Sequence, residues 1–180
     1  MGISSSVDVG SGAQVVLFED YLCGHCARLE LKLGREIEFL LRKSNGAFMV
    51  NPVDIFDRLS TPPGYSKRCA KVVSASANID ELCSVRRSLL LSTPATLGPA
   101  DLYVDERIGL ALHRGGIPKS RVESLLGART DAVVQANLAK LDDVSSGRER
   151  AVPTLVVNGT AARPGEIPTI LEHLFKDLSG

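Results

Sequence analysis

Two cysteines, Cys23 and Cys26, stand two residues apart directly after a short apolar run. That run, QVVLF at 14–18, has the length and the β-branched content of a buried strand. After the pair, leucine and isoleucine recur at steps of three and four residues, which predicts an amphipathic helix that Gly34 weakens or kinks. The segment GAFMVNPVDIF at 46–56 predicts a second strand. The pair therefore lies where a strand passes into a helix, within a βαβ unit whose strands run parallel.

A cysteine at the first residue of a helix is chemically distinctive. Unpaired N–H groups and the helix dipole both stabilise negative charge there, so we expect the pKa of Cys23 to fall to roughly 3.5–7.5. Cys26, one turn later, should be more buried and should resolve a mixed disulfide by attacking Cys23. A redox site is the favoured interpretation. A zinc site is the alternative, but a zinc ribbon needs two close pairs, and Cys69 and Cys83 are not close in sequence.

Three polar residues adjoin the pair. His25 lies between the cysteines, where its side chain could stabilise the Cys23 thiolate; the alternative is a solvated loop histidine. Glu19 and Asp20 precede the pair, and either carboxylate could relay a proton to or from Cys26 or raise the pKa of a neighbouring thiol. The alternative for both is a solvated acidic turn at the end of the strand.

The rest of the chain divides into a helical block followed by a return to strand and helix. The sequence STPPGY breaks the pattern at 60–65. Helical stretches are predicted at about 65–77, 80–92, 101–114 and 118–145, the last in two pieces, with a loop over 92–100. Asn78 and Asp80 are expected to end one helix and cap the next. A strand at 151–159 and a helix over 166–178 follow. The helical block thus resembles an insertion between two halves of an α/β unit.

Composition excludes several classes of partner. The chain has 180 residues, and 21 basic residues balance 21 acidic ones, so it lacks the basic surface that nucleic acids or anionic membranes require. Aromatic residues are only 4%, which argues against base stacking. No run reaches the ~18 apolar residues of a membrane span. Residues 1–13, rich in glycine and serine, are expected to be a flexible lead-in from which a secretion signal could have been trimmed.

Taken together, these pieces resemble the DsbA-like disulfide oxidoreductases of the thioredoxin superfamily. The resemblance rests on VVLFEDYLCGHC after a strand, TPPGYSKRCAKVVSAS at the start of the helical block, and AVPTLVVNG after it. It implies an α/β thioredoxin-like fold with an inserted helical domain. The core would comprise residues 14–60 and 148–180, and the insertion residues 61–147.

The resemblance also implies a second half of the site. Pro153 would be cis and would lie against the cysteine pair, while the backbone around Val152 would bind an extended substrate by β-type hydrogen bonds. Gly24 and Thr154 would join Val152 in contacting substrate. A trans proline that merely begins a strand is the alternative.

Two segments depart from the family pattern. The residues between the cysteines are Gly-His where many members have Pro-His or Pro-Tyr, and this change leaves the redox potential open. The sequence SSGRER stands where the family usually has a glycine-rich approach to the cis-proline loop. This second change leaves the charge of the loop undetermined, and the substrate preference that depends on that charge is undetermined too.

Cys69 and Cys83 lie in adjacent helical stretches of the insertion. Some DsbA-like proteins carry a second, structural disulfide, so the resemblance favours a Cys69–Cys83 bond if the two helices pack antiparallel. Such a bond would place the protein outside the cytoplasm. Two separate buried thiols are the alternative.

The function implied is a bacterial thiol–disulfide oxidoreductase that donates disulfides to reduced, exported proteins. It would be periplasmic, secreted or membrane-anchored, monomeric, and free of metal or cofactor other than the Cys23–Cys26 disulfide. A membrane reoxidase, quinone-linked or similar to vitamin K epoxide reductase, would restore that disulfide. The alternatives are a reductase or isomerase with the same site, and a non-catalytic module that binds peptides.

Overall fold

A computed structural model describes residues 13–61, 63–93 and 104–180 of the chain. The predicted lead-in, apart from Ala13, lies outside the described residues. Most of the predicted loop at 92–100 and the start of the helix predicted at 101–114 also lie outside them.

A sheet with four described strands forms the centre of the molecule. The strands are β1 (Val15–Glu19), β2 (Phe48–Pro52), β3 (Thr154–Val157) and β4 (Thr160–Ala161), in the order β2-β1-β3-β4. β1 runs parallel to β2 and antiparallel to β3. The parallel pairing confirms the predicted βαβ unit, whereas the two-residue β4 was not predicted.

Seven α-helices lie in the described part of the chain. They are α1 (Gly24–Lys43), α2 (Tyr65–Ser74), α3 (Ile79–Leu91), α4 (Val104–Arg114), α5 (Lys119–Leu126), α6 (Asp131–Ser145) and α7 (Ile167–Ser179). The helices α2 to α6 follow one another between β2 and β3. The predicted helices match them to within a few residues at the described ends, and the stretch predicted at 118–145 is indeed in two pieces.

Both faces of the sheet are buried, because alternate residues of β1 and β3 enter two different hydrophobic clusters. Val15, Leu17 and Leu155 pack with the apolar faces of α1 and α7, which we call the α1–α7 cluster. Phe18 and Val156 pack on the opposite face with α2 to α6, which we call the insertion cluster, and it contains Cys23 and Cys26. The site thus lies at one end of β1, against the insertion cluster.

Helix α1 is interrupted at the point where the sequence predicted a weakness. Leu33 has non-helical angles (φ −129°, ψ 21°) directly before Gly34. A Cβ at Gly34 would overlap the carboxylate of Glu30, which is buried one turn earlier. The glycine therefore makes room for a charged side chain inside the core.

Polar side chains set two other boundaries. β2 ends at Pro52, well short of the predicted 56, because the Asp20 carboxylate accepts a hydrogen bond from the Phe56 backbone N–H at 3.0 Å and the chain turns there. Helix α3 begins after Asn78, whose side chain accepts from the Glu81 N–H at 3.0 Å. The predicted cap at Asn78 is confirmed. Among the described helices, none combines the length and the apolar character that crossing a bilayer requires.

Candidate active site

Cys23 occupies the position that the sequence predicted, at the N-terminus of α1. Its backbone is extended (φ −86°, ψ 111°), and its Sγ accepts a hydrogen bond from the Cys26 N–H at 3.4 Å. Cys23 is 3% exposed and Cys26 is 1% exposed. One thiol therefore lies at the end of the helix with a small opening to solvent, and the other is enclosed behind it.

The two thiols differ in acidity. The pKa of Cys23 is lowered to about 7, chiefly because the Cys26 thiol hydrogen-bonds to it. Burial opposes this shift, and the backbone N–H groups of Cys26 and His25 reinforce it. The pKa of Cys26 is raised well above its ordinary value, first by burial and then by the neighbouring Cys23. At neutral pH, negative charge is therefore concentrated on Cys23, the arrangement that disulfide exchange requires.

Alkylation of the reduced protein should display this difference. The rate of Cys23 modification by iodoacetamide is expected to rise with pH with a midpoint near 7, because only the thiolate reacts. Cys26, Cys69 and Cys83 serve as internal controls, since burial raises the pKa of each. They should stay unmodified below pH 9, and mass spectrometry of peptides from a time course would assign each site. A Cys23 midpoint near that of a free thiol, about 8.5, would contradict the interpretation.

The segment around Pro153 meets the cysteine pair although it lies far away in sequence. The Val152–Pro153 peptide bond is cis, as the resemblance implies. The Cys23 thiol donates to the Val152 carbonyl at 3.3 Å, a contact that needs the thiol proton. Thr154 donates from its hydroxyl to the Ala151 carbonyl at 2.7 Å and so closes the turn before β3. The structure thus brings the cysteine pair and the Val152–Pro153 segment into one place. The substrate contacts predicted for Val152 and Thr154 stay predictions.

Gly24 and His25 lie at the surface of the site. Both are exposed, and Gly24 is the first residue of α1. The contribution of His25 to the lowered pKa of Cys23 comes from its backbone N–H. Its side chain lines a groove beside Pro153. The predicted effect of the imidazole on the thiolate stays a prediction.

Glu19 is enclosed at the end of β1 and is fully occupied by hydrogen bonds. It is 1% exposed, and it accepts from Arg86 on both oxygens, at 2.7 and 2.8 Å. Tyr21 donates to it as well, at 2.7 Å. Its negative charge raises the pKa of Cys26. Of the two roles that the sequence allowed, the structure therefore supports the electrostatic one, while proton relay by Glu19 stays a prediction.

Asp20 has a different environment from Glu19. It is buried and accepts hydrogen bonds from the Ser66 hydroxyl at 2.6 Å and from the Leu22 N–H at 2.8 Å. Burial raises its pKa to about 6, against the opposing effect of these hydrogen bonds. A carboxyl group with that pKa can both take and give a proton near neutral pH. Asp20 is thus the better suited of the two acids for the predicted relay. The alternative of a solvated acidic turn is wrong for both, since neither side chain reaches solvent.

Two residues of the site were missed at the level of sequence. Arg86 is 2% exposed and joins Glu19 to Glu30, donating to Glu30 at 2.5 Å. Glu30 is 3% exposed and lies on the buried face of α1. A signal was present: both charged residues stand at positions that helical periodicity assigns to the apolar face, and Gly34 follows Glu30 by one turn. We call Glu19, Arg86 and Glu30 the buried ion network.

The structure corrects the predicted Cys69–Cys83 disulfide. Both thiols are free and buried. Cys69 lies in the insertion cluster with the active-site cysteines, whereas Cys83 lies in the α1–α7 cluster. The reason is geometric: the face of α3 that carries Cys83 packs against α1, while Cys69 faces the insertion cluster from α2. The alternative of two separate buried thiols is the one observed. This pair therefore gives no support to the inference that the protein works in an oxidising compartment.

Comparison with known proteins gives different results for sequence and for structure. No protein-family profile matches the sequence, and no curated protein matches it significantly. Solved structures do match the fold. Reduced DsbA from Mycobacterium tuberculosis is 21% identical, with a TM-score of 0.63 over 98% of this chain and 96% of that one.

Two further structures match over most of their length. The thiol-disulfide oxidoreductase MdbA from Corynebacterium diphtheriae is 16% identical, with a TM-score of 0.69 over 95% of this chain and 86% of that one. Reduced DsbG, a disulfide bond oxidoreductase from Mycobacterium tuberculosis, is 22% identical, with a TM-score of 0.58 over 98% and 86%. These likenesses confirm the predicted fold class: the chain has the thioredoxin-like fold, with helices inserted between β2 and β3, of the DsbA-like structures.

Proposed function

We propose that this protein is a thiol–disulfide oxidoreductase that exchanges disulfides with protein thiols through Cys23 and Cys26. The observation that carries the proposal is the unequal acidity of two adjacent thiols at a helix N-terminus, with the pKa of Cys23 lowered to about 7 and that of Cys26 raised. Two of the solved structures that share this fold are described as a thiol-disulfide oxidoreductase (MdbA) and a disulfide bond oxidoreductase (DsbG), which agrees with the chemistry.

The exchange begins from the oxidised Cys23–Cys26 disulfide. A client thiolate attacks the Cys23 sulfur, the bond between Cys23 and Cys26 breaks, and Cys26 leaves as a thiolate that takes up a proton. Asp20, whose raised pKa of about 6 suits it to give a proton near neutral pH, would supply that proton. A second client thiolate then attacks the client sulfur in the mixed disulfide, and Cys23 leaves as a thiolate. The client is oxidised by two electrons, and the enzyme becomes the dithiol.

The direction we propose is oxidation of exported proteins. Disulfides form and persist in oxidising compartments, so clients that need them are found outside the cytoplasm. The enzyme would act there as a monomer and need no cofactor besides its own disulfide. Because each cycle leaves the dithiol, an electron acceptor must restore it, and a membrane reoxidase of the quinone-linked or vitamin K epoxide reductase-like class would do so.

One observation favours the second candidate, a reductase or isomerase. A Cys23 pKa of about 7 is close to that of thioredoxin, also about 7, and well above the value of about 3.5 in strongly oxidising DsbA. A less stabilised thiolate gives a less oxidising disulfide. Equilibration with glutathione measures the redox potential of the pair: a value near −120 mV supports the oxidase, one near −180 mV the isomerase, and one near −270 mV the reductase.

Oxidative refolding of ribonuclease tests the proposal directly. The oxidised protein, mixed with reduced and unfolded ribonuclease in thiol-free buffer, is expected to restore ribonuclease activity. One enzyme dithiol should appear for each disulfide formed, because the exchange conserves disulfides. The same protein reduced beforehand is the matched control and should restore none. If the oxidised protein leaves the ribonuclease reduced, it does not act as an oxidase.

A further inference from the structure

A groove of about 420 Å³ runs beside the cysteine pair, between the start of α1, the cis-proline turn and the start of α7. Its apolar surface includes Leu29, Pro153 and Ile167. Val152, whose carbonyl accepts from the Cys23 thiol, also lines it. A peptide lying in this groove would therefore pass within reach of the reactive sulfur.

The charges on this groove have one sign. Arg28 and Lys32, one turn apart on α1, line it together with His25, and none of its described lining residues is Asp or Glu. Lys32 has a loose and exposed partner, with its Nζ 3.9 Å from the Glu172 carboxylate. Arg28 is exposed and, among the described residues, has no carboxylate partner. Its guanidinium is thus available to a ligand.

Two other arginines near the groove are already paired. Arg150, in the segment before the cis-proline turn, donates to both carboxylate oxygens of Asp142, at 2.6 and 2.7 Å. Arg163, before α7, is 3.0 Å from the Glu166 carboxylate. These pairs are neutral, so they neither attract nor repel a charged peptide strongly. Among the described residues that line the groove, the positive charges are those of Arg28 and Lys32 on α1.

The spacing on α1 indicates where on a peptide an acidic side chain would meet these cations. Arg28 is five residues after Cys23, about 7.5 Å along the helix axis, and Lys32 is about 13.5 Å along it. An extended peptide advances about 3.3 Å per residue, and alternate side chains point the same way. For a peptide that lies along α1, positions two and four residues from a client cysteine bound at Cys23 therefore match the two cations.

We propose that the site prefers client segments with Asp or Glu two and four residues from the reacting cysteine, and that Arg28 is the main specificity determinant. This preference rests on the proposed disulfide exchange and refines it by naming the class of segment exchanged. Basic segments are disfavoured because they would bring like charges together on a groove without carboxylates.

The test uses symmetric nine-residue peptides with a single central cysteine, so that either chain direction presents the same charges. Glutamate, glutamine or lysine occupies the positions two and four residues away on both sides. The Cys26→Ala protein carries thionitrobenzoate on Cys23. The peptide thiol attacks the Cys23 sulfur and releases thionitrobenzoate, and the rate of release is measured by absorbance. Mass spectrometry verifies the peptide–Cys23 disulfide. Each rate is divided by that peptide's rate with uncharged 2-hydroxyethyl disulfide, because nearby charges change the thiol's own reactivity.

The glutamate peptide is expected to react about two- to tenfold faster than the lysine peptide, since exposed ion pairs contribute ~0.2–1 kcal/mol each and ~1.4 kcal/mol is a factor of ten. Arg28→Gln should remove most of this ratio. Arg35→Gln, which removes the same charge two turns further along α1, should preserve it. In 1 M NaCl the ratio should approach one, because the Debye length falls to about 3 Å.

Two other outcomes would overturn the preference. One is equal normalised rates for the three peptides. The other is a glutamate-to-lysine rate ratio that is unchanged in the Arg28→Gln protein. A distinct result bears on the proposed function itself: if none of the peptides displaces thionitrobenzoate, Cys23 does not exchange with peptide thiols at all. The neutral glutamine peptide separates these cases, because its reaction requires the exchange and not the charge.

Discussion

Replacement of Cys23 by serine is expected to reduce disulfide transfer to the background rate. Cys23 is the thiol whose pKa is lowered to about 7, whereas that of Cys26 is raised by burial, so Cys26 cannot take over as the nucleophile. A serine hydroxyl forms no disulfide, and the oxidised state of the pair no longer exists. The measurement is the rate of disulfide formation in reduced ribonuclease, with catalyst present at substoichiometric amounts and glutathione disulfide as the terminal oxidant.

Cys83→Ala is the matched control. It also removes a buried thiol, 6% exposed, but from the α1–α7 cluster on the opposite face of the sheet. It should retain turnover once the fraction of folded protein has been verified. Binding of an unfolded peptide separates the enzyme from a non-catalytic module, because Cys23→Ser should abolish turnover while leaving binding in place. Turnover by Cys23→Ser at the wild-type rate would rule out the proposed chemistry.

Arg86→Met is expected to cost about 3–5 kcal/mol of unfolding free energy, the usual effect of removing one partner from a buried ion pair. Arg86 is 2% exposed and makes three hydrogen bonds to carboxylates, two to Glu19 and one to Glu30. Without the guanidinium, the Glu19 carboxylate stays buried without a counter-ion, and Glu30 keeps only the partly exposed Arg87, at 3.7 Å. Since small domains have only about 5–15 kcal/mol of stability in total, the loss should be large in guanidinium titrations followed by circular dichroism.

The neighbouring arginine supplies the control for this substitution. Arg87 also approaches Glu30, at 3.7 Å, but its side chain is 48% exposed. Arg87→Met should therefore cost less than about 1 kcal/mol. Arg86→Lys should fall between the two, because lysine keeps the charge and loses the forked geometry. Equal effects of Arg86→Met and Arg87→Met would show that the buried ion network does not stabilise the fold as described.

The parts of the site that could be predicted are those specified by neighbouring residues. The strand, Cys23 at the helix start, the partly buried face of α1 and the kink beside Gly34 all follow from local spacing. Pro153 followed from the resemblance, because nothing in its own neighbourhood points to a partner so far away in sequence. The boundary between α2 and α3 was predicted from Asn78 alone, because its side chain can cap a helix.

The misses have a common physical cause. Arg86 contacts Glu19 and Glu30 only after α3 packs against both β1 and α1. The spacing of residues along the sequence does not predict a contact among three separate elements. The Cys69–Cys83 prediction failed for the same reason, since the rotation of each helix about its axis decides which thiols face each other. Helical periodicity identifies a buried face but not the neighbour that buries it.

If the protein performs the proposed exchange, the contact between the Cys23 thiol and the Val152 carbonyl would link client affinity to the oxidation state of the cysteine pair. In the oxidised protein Cys23 has no hydrogen to donate, so that carbonyl is open to an amide of an arriving chain. After the exchange, the fraction of Cys23 that is protonated, about half at pH 7 for a pKa of about 7, would compete for the same acceptor. Under the proposed function, reduced and protonated Cys23 would therefore compete with an oxidised client for the Val152 carbonyl and so favour release of that client.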